Sequence, residues 1–375
     1  MPSELCAGIP FAAARGDAFA PTSTLLSVAA SPLLSFLTTR EASNLRAVCV
    51  EARAAVAEHP WADLKTLIQS RLEAWRACFP RARAAATASN RSARSAINDA
   101  AFLHLRGIRA LSMKWCKQIT DAAFINLRGI HTLDISCCYQ ITDAAFEHLR
   151  GIRTLDISSC DKITDAAFTN LRGIHTLVIR VGSNITNAAF THLRGIHTLD
   201  MSYGGCKQIT DAAFINLRGI HTLDMLGCKE ITDAAFEHLR GIHTLDMTEC
   251  PRITDAAFEH LRGIHTLDMS DCRQITDAAF IHLRGIHTLF MRGCTQITDS
   301  AFEHLRGIHT LDMTDCPQIT DAAFINHQGV HTLCMRGCEQ ITNAAFEHMR
   351  VHTVDMSGCH LIKDAAFIEL MASNA

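Results

Sequence analysis

Histidine, cysteine and aspartate recur in this chain at intervals that invite a chemical reading. Histidine forms two columns: His131, His175, His197, His221, His243, His265, His287, His309, His331 and His352, and then His148, His192, His238, His260, His282, His304 and His348. Cysteine forms a third at Cys116, Cys138, Cys160, Cys206, Cys228, Cys250, Cys272, Cys294, Cys316, Cys338 and Cys359. Aspartate forms a fourth at Asp134, Asp156, Asp200, Asp224, Asp246, Asp268, Asp312 and Asp355. Imidazole and thiolate are zinc ligands, but zinc needs four donors converging on one point. Residues that recur once per period are strung along an axis instead. The sequence has no Gly-rich phosphate loop, no nucleophile elbow and no cysteine pair at C-x-x-C spacing. The columns therefore predict packing roles: neutral imidazoles stacked or lying edge-on about 5 Å apart, and small thiols buried once per coil. No metal, no cofactor and no enzymatic activity are expected.

The period that generates these columns is set by phenylalanine. Phe102, Phe124, Phe146, Phe168, Phe190, Phe214, Phe236, Phe258, Phe280, Phe302, Phe324, Phe346 and Phe367 are 22 residues apart, except for one gap of 24 and a last one of 21. A fixed period of this size predicts a stacked array. In the copy running from Ile264 to Gly285, Ile264, Leu267 and Met269 follow LxxLxL, and the last two have the alternation of a half-buried strand. Thr266 and Asp268 then face the other way. Thr276 is placed to cap a short helix, with Asp277 in the favourable field of its first turn. Ala279, Phe280 and Leu283 share one side of that helix, and Gly285 suits the left-handed closing residue. One such unit cannot bury its own apolar side chains, so neighbouring units must stack, their strands pairing into a parallel sheet.

This pattern resembles the leucine-rich repeat family, and within it the cysteine-containing subclass in which LxxLxLxxC is followed by a Leu/Ile-Thr-Asp helix start. The resemblance implies an α/β solenoid, with a curved parallel sheet on the concave side and short helices on the convex side. That subclass usually has about 26 residues per copy; the shorter copies here imply shorter convex helices.

Upstream of the array, Pro32, Thr39, Leu45, Val48 and Trp61 suit two or three short amphipathic helices. The run Pro32, Leu33, Leu34, Phe36, Leu37, Leu45, Val48, Cys49 and Arg53 resembles an F-box, the module by which substrate receptors dock onto a Skp-family adaptor of cullin ubiquitin ligases. The resemblance departs from the family at Ser31, where Leu often precedes the Pro, and at Val50, Glu51 and Ala52, where a basic residue and Trp are usual. It implies adaptor contacts at Pro32, Leu33, Leu34, Phe36, Leu37, Leu45 and Val48. A helical cap of similar pattern is the other reading. The arginines between Trp61 and Asn98 read as a solvated helix face, and nucleic acid is not expected as a partner. The organisation is thus an unstructured end over residues 1–24, an F-box-like helical domain over 25–65, a helical linker or cap over 66–96, and the solenoid over 97–375.

Of the 375 residues, 48% are hydrophobic and 19% charged, and the net charge of -3 selects no partner class. No stretch approaches the roughly 20 apolar residues of a membrane span, and the N-terminus lacks a secretory pattern. Sixteen cysteines, mostly in one packing column, fit a reducing, intracellular compartment, cytoplasmic or nuclear.

Function is sought on the outward strand positions, because leucine-rich repeats generally bind partners on the concave sheet. Places where the repeat breaks are the most informative. Val178, Phe290 and Cys334 replace the aspartate, Arg180, Arg292 and Arg336 follow in place of Ser or Thr, and Trp115, Tyr203 and Leu226 take adjoining positions. Arg and aromatic side chains are common interface anchors. Trp115, Val178, Arg180, Tyr203, Leu226, Phe290, Arg292 and Arg336 are the expected contacts to an unidentified target protein. The sequence reads as a non-catalytic substrate receptor of a cullin ligase, or as a binding scaffold unconnected with ubiquitin.

Overall fold

The computed structural model describes residues 34, 37, 39–46, 50–62, 67–68, 72–87, 97–181, 184–203, 208–325, 330–347 and 351–362. These form a 14-stranded, all-parallel sheet in which every strand pairs with its sequence neighbours. From β3 (Ala110–Ser112) to β14 (Thr353–Asp355) each strand is three residues long, and one coil of chain separates it from the next. The register follows the period: Thr266 of β10 (Thr266–Asp268) lies between Thr244 and Thr288, and Leu267 between Leu245 and Leu289. Leu and Met or Ile point inward and are buried, while Thr and Asp point outward.

From residue 97 onward, among the described residues, the return side of each coil is a 3-10 helix of four to seven residues, such as Asp277–His282, except that Asn187–Phe190 is an α turn. A 22-residue copy leaves room for about two turns between strand and strand, and the tighter winding fits that space. Phe and Ala of each turn close the core from this side: Phe280 and Ala279 are fully buried. Burying each Phe contributes on the order of 2 kcal/mol, and the stack needs neighbours on both sides to obtain it.

The described members of the cysteine column are buried and free of disulfides, while Cys206 lies outside the described residues. Their thiols do more than fill space: Cys272 Sγ donates to the carbonyl of Met247 at 3.1 Å, and Cys294 to Met269 at 3.2 Å, one coil back. Burial pushes Cys272 and Cys316 up to about 12, so these thiols stay protonated and unreactive near neutral pH.

At the N-terminal end the expected boundary moves. Among the described residues of 66–96, β1 (Leu67–Ile68) and β2 (Ala84–Thr87) join the sheet, with Ala84 in register with Ala110, and Leu72–Cys78 (α3) is helical. The carbonyl of Trp61 accepts from the amides of Arg83 and Ala84, as that of Arg83 does from Arg109 and Ala110. The sheet thus begins upstream of residue 97. Ala84, Ala85 and Ala86 conceal this in the sequence because alanine carries little strand preference. Ahead of them lie α1 (Thr39–Leu45) and α2 (Val50–Glu58), and the Trp61 indole N–H donates to the carbonyl of Val56 in α2 at 3.0 Å. Trp61, Trp75 and Phe79 form the aromatic core of this end.

Candidate functional site

Each outward aspartate has a local duty before it can serve a partner. Asp224 Oδ1 accepts the amide of Leu226 at 3.1 Å, Asp246 that of Thr248 at 2.9 Å, and Asp268 that of Ser270 at 3.0 Å. These bonds fix the turn by which the chain leaves the strand. The turn then passes through a left-handed residue: Trp115 (φ 66°), Cys137, Ser159, Val181 (φ 56°), Tyr203 (φ 64°), Glu249, Asp271 and Asp315, or Gly227, Gly293, Gly337 and Gly358. Glycine is the natural occupant of such a position, and a bulky or β-branched side chain there is an outlier.

Among the described residues no Lys or Arg forms an ion pair with Asp224, Asp246 or Asp268, which lie opposite one another on β8 (Thr222–Asp224), β9 (Thr244–Asp246) and β10. Burial, then the charges of Asp200 and Asp246, push Asp224 up to about 6 against the Leu226 amide bond. Asp246 is raised for the same leading reason. The repeated carboxylates therefore strain one another, as expected for like charges directly opposed in a sheet.

The target-contact residues named from the sequence fall into three places. Val178, Arg180, Tyr203 and Leu226 occupy consecutive coils at β6 (Thr176–Val178), β7 (Thr198–Asp200) and β8. Arg180 Nε donates to Asp200 Oδ2 at 2.7 Å, its second nitrogen reaches the same oxygen, and the guanidinium lies 5.9 Å from the Tyr203 ring. Tyr203 is 64% exposed, and Val178 and Leu226 are half-buried. Phe290, Arg292 and Arg336 gather toward the C-terminal end, where Arg292 and Arg336 line a pocket of about 420 Å³ with Asp312, Cys334 and Asp355. Arg292 pairs with Asp315 at 3.6 Å and Arg336 with Asp355 at 4.0 Å. Trp115, 45% exposed, stands apart after β3. Of the adaptor-contact residues, Leu34 is 3% exposed and Leu37 and Leu45 are half-buried, whereas Pro32, Leu33, Phe36 and Val48 lie outside the described residues.

The first histidine column forms a ladder. From His175 to His352 nine rings stack at 4.5 to 4.6 Å, tilted by 10 to 14°. From His175 to His331, Nδ1 bonds the hydroxyl of the following Thr, as His265 does with Thr266 at 3.1 Å. Lost hydration, then repulsion from the adjoining rings, hold His243 and His331 below the ordinary histidine value. The second column works differently. Arg218 donates to His238 Nδ1 from the coil before, as Arg262 does to His282. Where the copy reads Asn instead, the Asn126, Asn170 and Asn216 side-chain oxygens accept from Arg106, Arg150 and Arg194. The Asn oxygens and the Nδ1 atoms of His238 and His282 thus meet the arginine of the coil before as acceptors, whereas the Nδ1 atoms of His192 and His260 are buried without a hydrogen-bond partner.

Also missed was the bond that joins coil to coil on the convex side. The helix-start aspartate reaches forward to the next copy: Asp121 accepts the Thr142 amide at 2.8 Å and its hydroxyl at 2.6 Å. Asp255 holds Thr276 in the same way, and the pattern runs from Asp99 to Asp321. The Thr oxygen in turn caps its own helix, accepting from Ala278 N at 3.3 Å in the case of Thr276. One joint differs. Asn187 accepts the Thr210 amide but donates its Nδ2–H into the Thr210 oxygen at 2.9 Å, and Thr210 makes no capping bond.

Among the described residues no group of three or more His, Cys, Asp or Glu is placed to hold a metal ion, and no helix is long and apolar enough to cross a membrane. The arrangement offers recognition through shape, charge and hydrogen bonds.

Comparison with known proteins agrees with this architecture. In sequence, none of the curated proteins matches. In structure, the chain is similar to a chain of the Rad7 and Elc1 complex from yeast, with 17% identity, a TM-score of 0.54, and 92% of this chain and 90% of that one covered. It is also similar to a chain of the mouse RP105/MD-1 complex, with 14% identity, a TM-score of 0.60, and 86% and 63% covered. A third likeness is to the Toll–Spatzle complex of Drosophila, with 15% identity and a TM-score of 0.56 over 76% and 42%. The chain thus spans less than two thirds of the RP105/MD-1 and Toll–Spatzle chains it resembles. At these identities the likeness concerns the fold. In sequence, the BspA type leucine rich repeat region matches over residues 86–197, 183–309 and 252–371, a description coarser than the cysteine-containing subclass and beginning downstream of the F-box-like segment. Those ranges together take in well over half of the sequence, and the chain belongs to the BspA-type leucine-rich repeat family.

Proposed function

We propose that the protein is a non-catalytic recognition subunit that holds a partner protein on the outward face of its sheet, and that its N-terminal helical segment docks a Skp-family adaptor of a cullin ubiquitin ligase. The observation that carries the first half is the exposure of Trp115, Val181 and Tyr203 at turn positions whose backbone favours glycine. Side chains that are strained and about half exposed or more add less to the fold than buried ones, and interface anchors are drawn from such residue types. The similar chains in the Rad7–Elc1, RP105/MD-1 and Toll–Spatzle structures are each named in complexes, in keeping with a binding role.

The adaptor half rests on the F-box resemblance of residues 32–53. In support, the likeness to the Rad7–Elc1 chain covers 92% of this chain and so reaches past the repeats into the N-terminal region. One observation favours the alternative, a scaffold unconnected with ubiquitin: Leu34 is buried and belongs to the hydrophobic core rather than to the exposed surface. Size-exclusion chromatography of the full chain with a purified Skp-family adaptor tests the point. A complex that Leu37→Asp abolishes, with the circular dichroism spectrum unchanged, supports the receptor. No complex with the parent chain leaves the scaffold.

A further inference from the structure

The exposed left-handed residues are not evenly spread. Val181 and Tyr203 follow β6 and β7, neighbouring strands, and so stand side by side at about 5 Å spacing. Val178 and Leu226 continue the apolar surface onto the sheet, in the same coil as Val181 and in the coil after Tyr203. A β-branched and an aromatic side chain at φ 56° and 64°, exposed by 48% and 64%, cost the fold strain without the return of burial. Four other turns of the same column use glycine, so the array has an unstrained solution available.

Charge sets what such a patch can receive. Arg180 is already committed, because two of its nitrogens bond Asp200 Oδ2 and its guanidinium faces the Tyr203 ring. That pair is neutral in sum. Asp156 on one side and Asp224 and Asp246 on the other have no described ion-pair partner, and each directs one oxygen to its own turn. Among the described residues the outward charges left unpaired beside the apolar patch are therefore acidic, which disfavours an acidic partner and attracts a cationic one.

Building on the reading of this face as a protein-binding surface, we propose that Val178, Val181, Tyr203 and Leu226 seat an extended segment of a partner protein that is both apolar and basic. Its apolar side chains lie on Val181 and Tyr203, and its Lys or Arg side chains pair with Asp224 and Asp246.

Two synthetic twelve-residue peptides serve as probes for the full chain: one alternates Lys with Leu and Tyr, and in the other Glu replaces Lys. Binding is read by fluorescence anisotropy at low and at raised salt. The basic peptide is expected to bind, weakening as salt rises, and the acidic one is not. Val181→Gly with Tyr203→Gly removes the apolar seat while relieving the turns. The melting temperature should hold or rise while affinity falls about tenfold or more. Asp224→Asn with Asp246→Asn keeps an oxygen for the Leu226 and Thr248 amides, and should weaken binding and flatten its salt dependence.

Tighter binding of the acidic peptide, or of a single-stranded RNA oligonucleotide, overturns the proposal. Unchanged affinity in the Gly double variant overturns it too. If that affinity is lost instead on Phe290→Ala with Arg292→Ala, the partner sits elsewhere on the sheet and only this inference fails. If no outward-face variant matters, the reading of the face as a binding surface fails with it.

Discussion

Two columns of aspartate run the length of the array with the same period, and they meet opposite fates. On the convex side, Asp121 or Asp255 gives both oxygens to the amide and hydroxyl of a threonine one coil ahead. On the sheet, Asp224, Asp246 or Asp268 gives one oxygen to the amide of its own turn and lies among like charges on the neighbouring strands. The first column binds coils together along its length, whereas the second holds a turn at some electrostatic cost and meets a neighbouring coil at particular positions, as Asp200 meets Arg180 and Asp134 meets Ser112. Identical residue type and spacing therefore do not imply identical contribution. What decides is whether the partner atoms lie in the next coil.

Substitution should separate the columns sharply. Asp255→Ala leaves the Thr276 amide and hydroxyl without their acceptor, and a loss of about 2 to 3 kcal/mol is expected in urea denaturation. Asp255→Asn should cost about 1 kcal/mol, because the amide is kept while the cap is forfeited, as at Asn187 and Thr210. Equal losses from the two variants would erase the distinction between carboxylate and amide joints. Relief of a left-handed turn comes next: Val181→Gly is expected to raise stability by up to about 1 kcal/mol. On the sheet column, Asp246→Asn should change stability by only a few tenths of a kcal/mol, toward greater stability, since the turn bond survives and repulsion falls. A loss as large as that of Asp255→Ala would show that Asp246 also joins coils.

Acid gives the smallest and most composite effect. His243 and His331 are held below the ordinary 6.5, so their contribution is complete above that value and is lost as pH falls through the lower folded values. Asp224 runs the other way: raised from 3.8 to about 6, its contribution is complete below 3.8 and lost as pH rises through about 6. The melting temperature should therefore fall between pH 8 and 5.5, and more steeply in Asp224→Asn, which lacks one of the opposing carboxylates, Asp246 being raised as well. A melting temperature flat across that range would mean the ladder tolerates charge.

Much of the molecule was readable from the period. The buried Phe, Leu and Ile of each coil, the cysteine column and the threonine caps follow from residue spacing, because strand and helix impose local periodicities. The joints were not readable, since a bond from Asp255 to Thr276 exists only after two coils have stacked. The left-handed turns were hidden for another reason: Val181 and Tyr203 are residue types that suggest strand or core, and nothing local announces a positive φ. Alanine-rich β2 was missed because it lacks the LxL alternation of its neighbours.

The forward-reaching joint has a consequence for how such a chain can change length. Every internal unit carries an acceptor for the coil ahead and a threonine for the coil behind, so duplication or deletion of one whole 22-residue unit leaves no broken bond at the seam. Loss of half a unit would strand one donor set and one carboxylate. The array can therefore gain or lose coils in whole numbers with each remaining contact intact, which makes coil number a quantity that unequal recombination can alter while the fold persists.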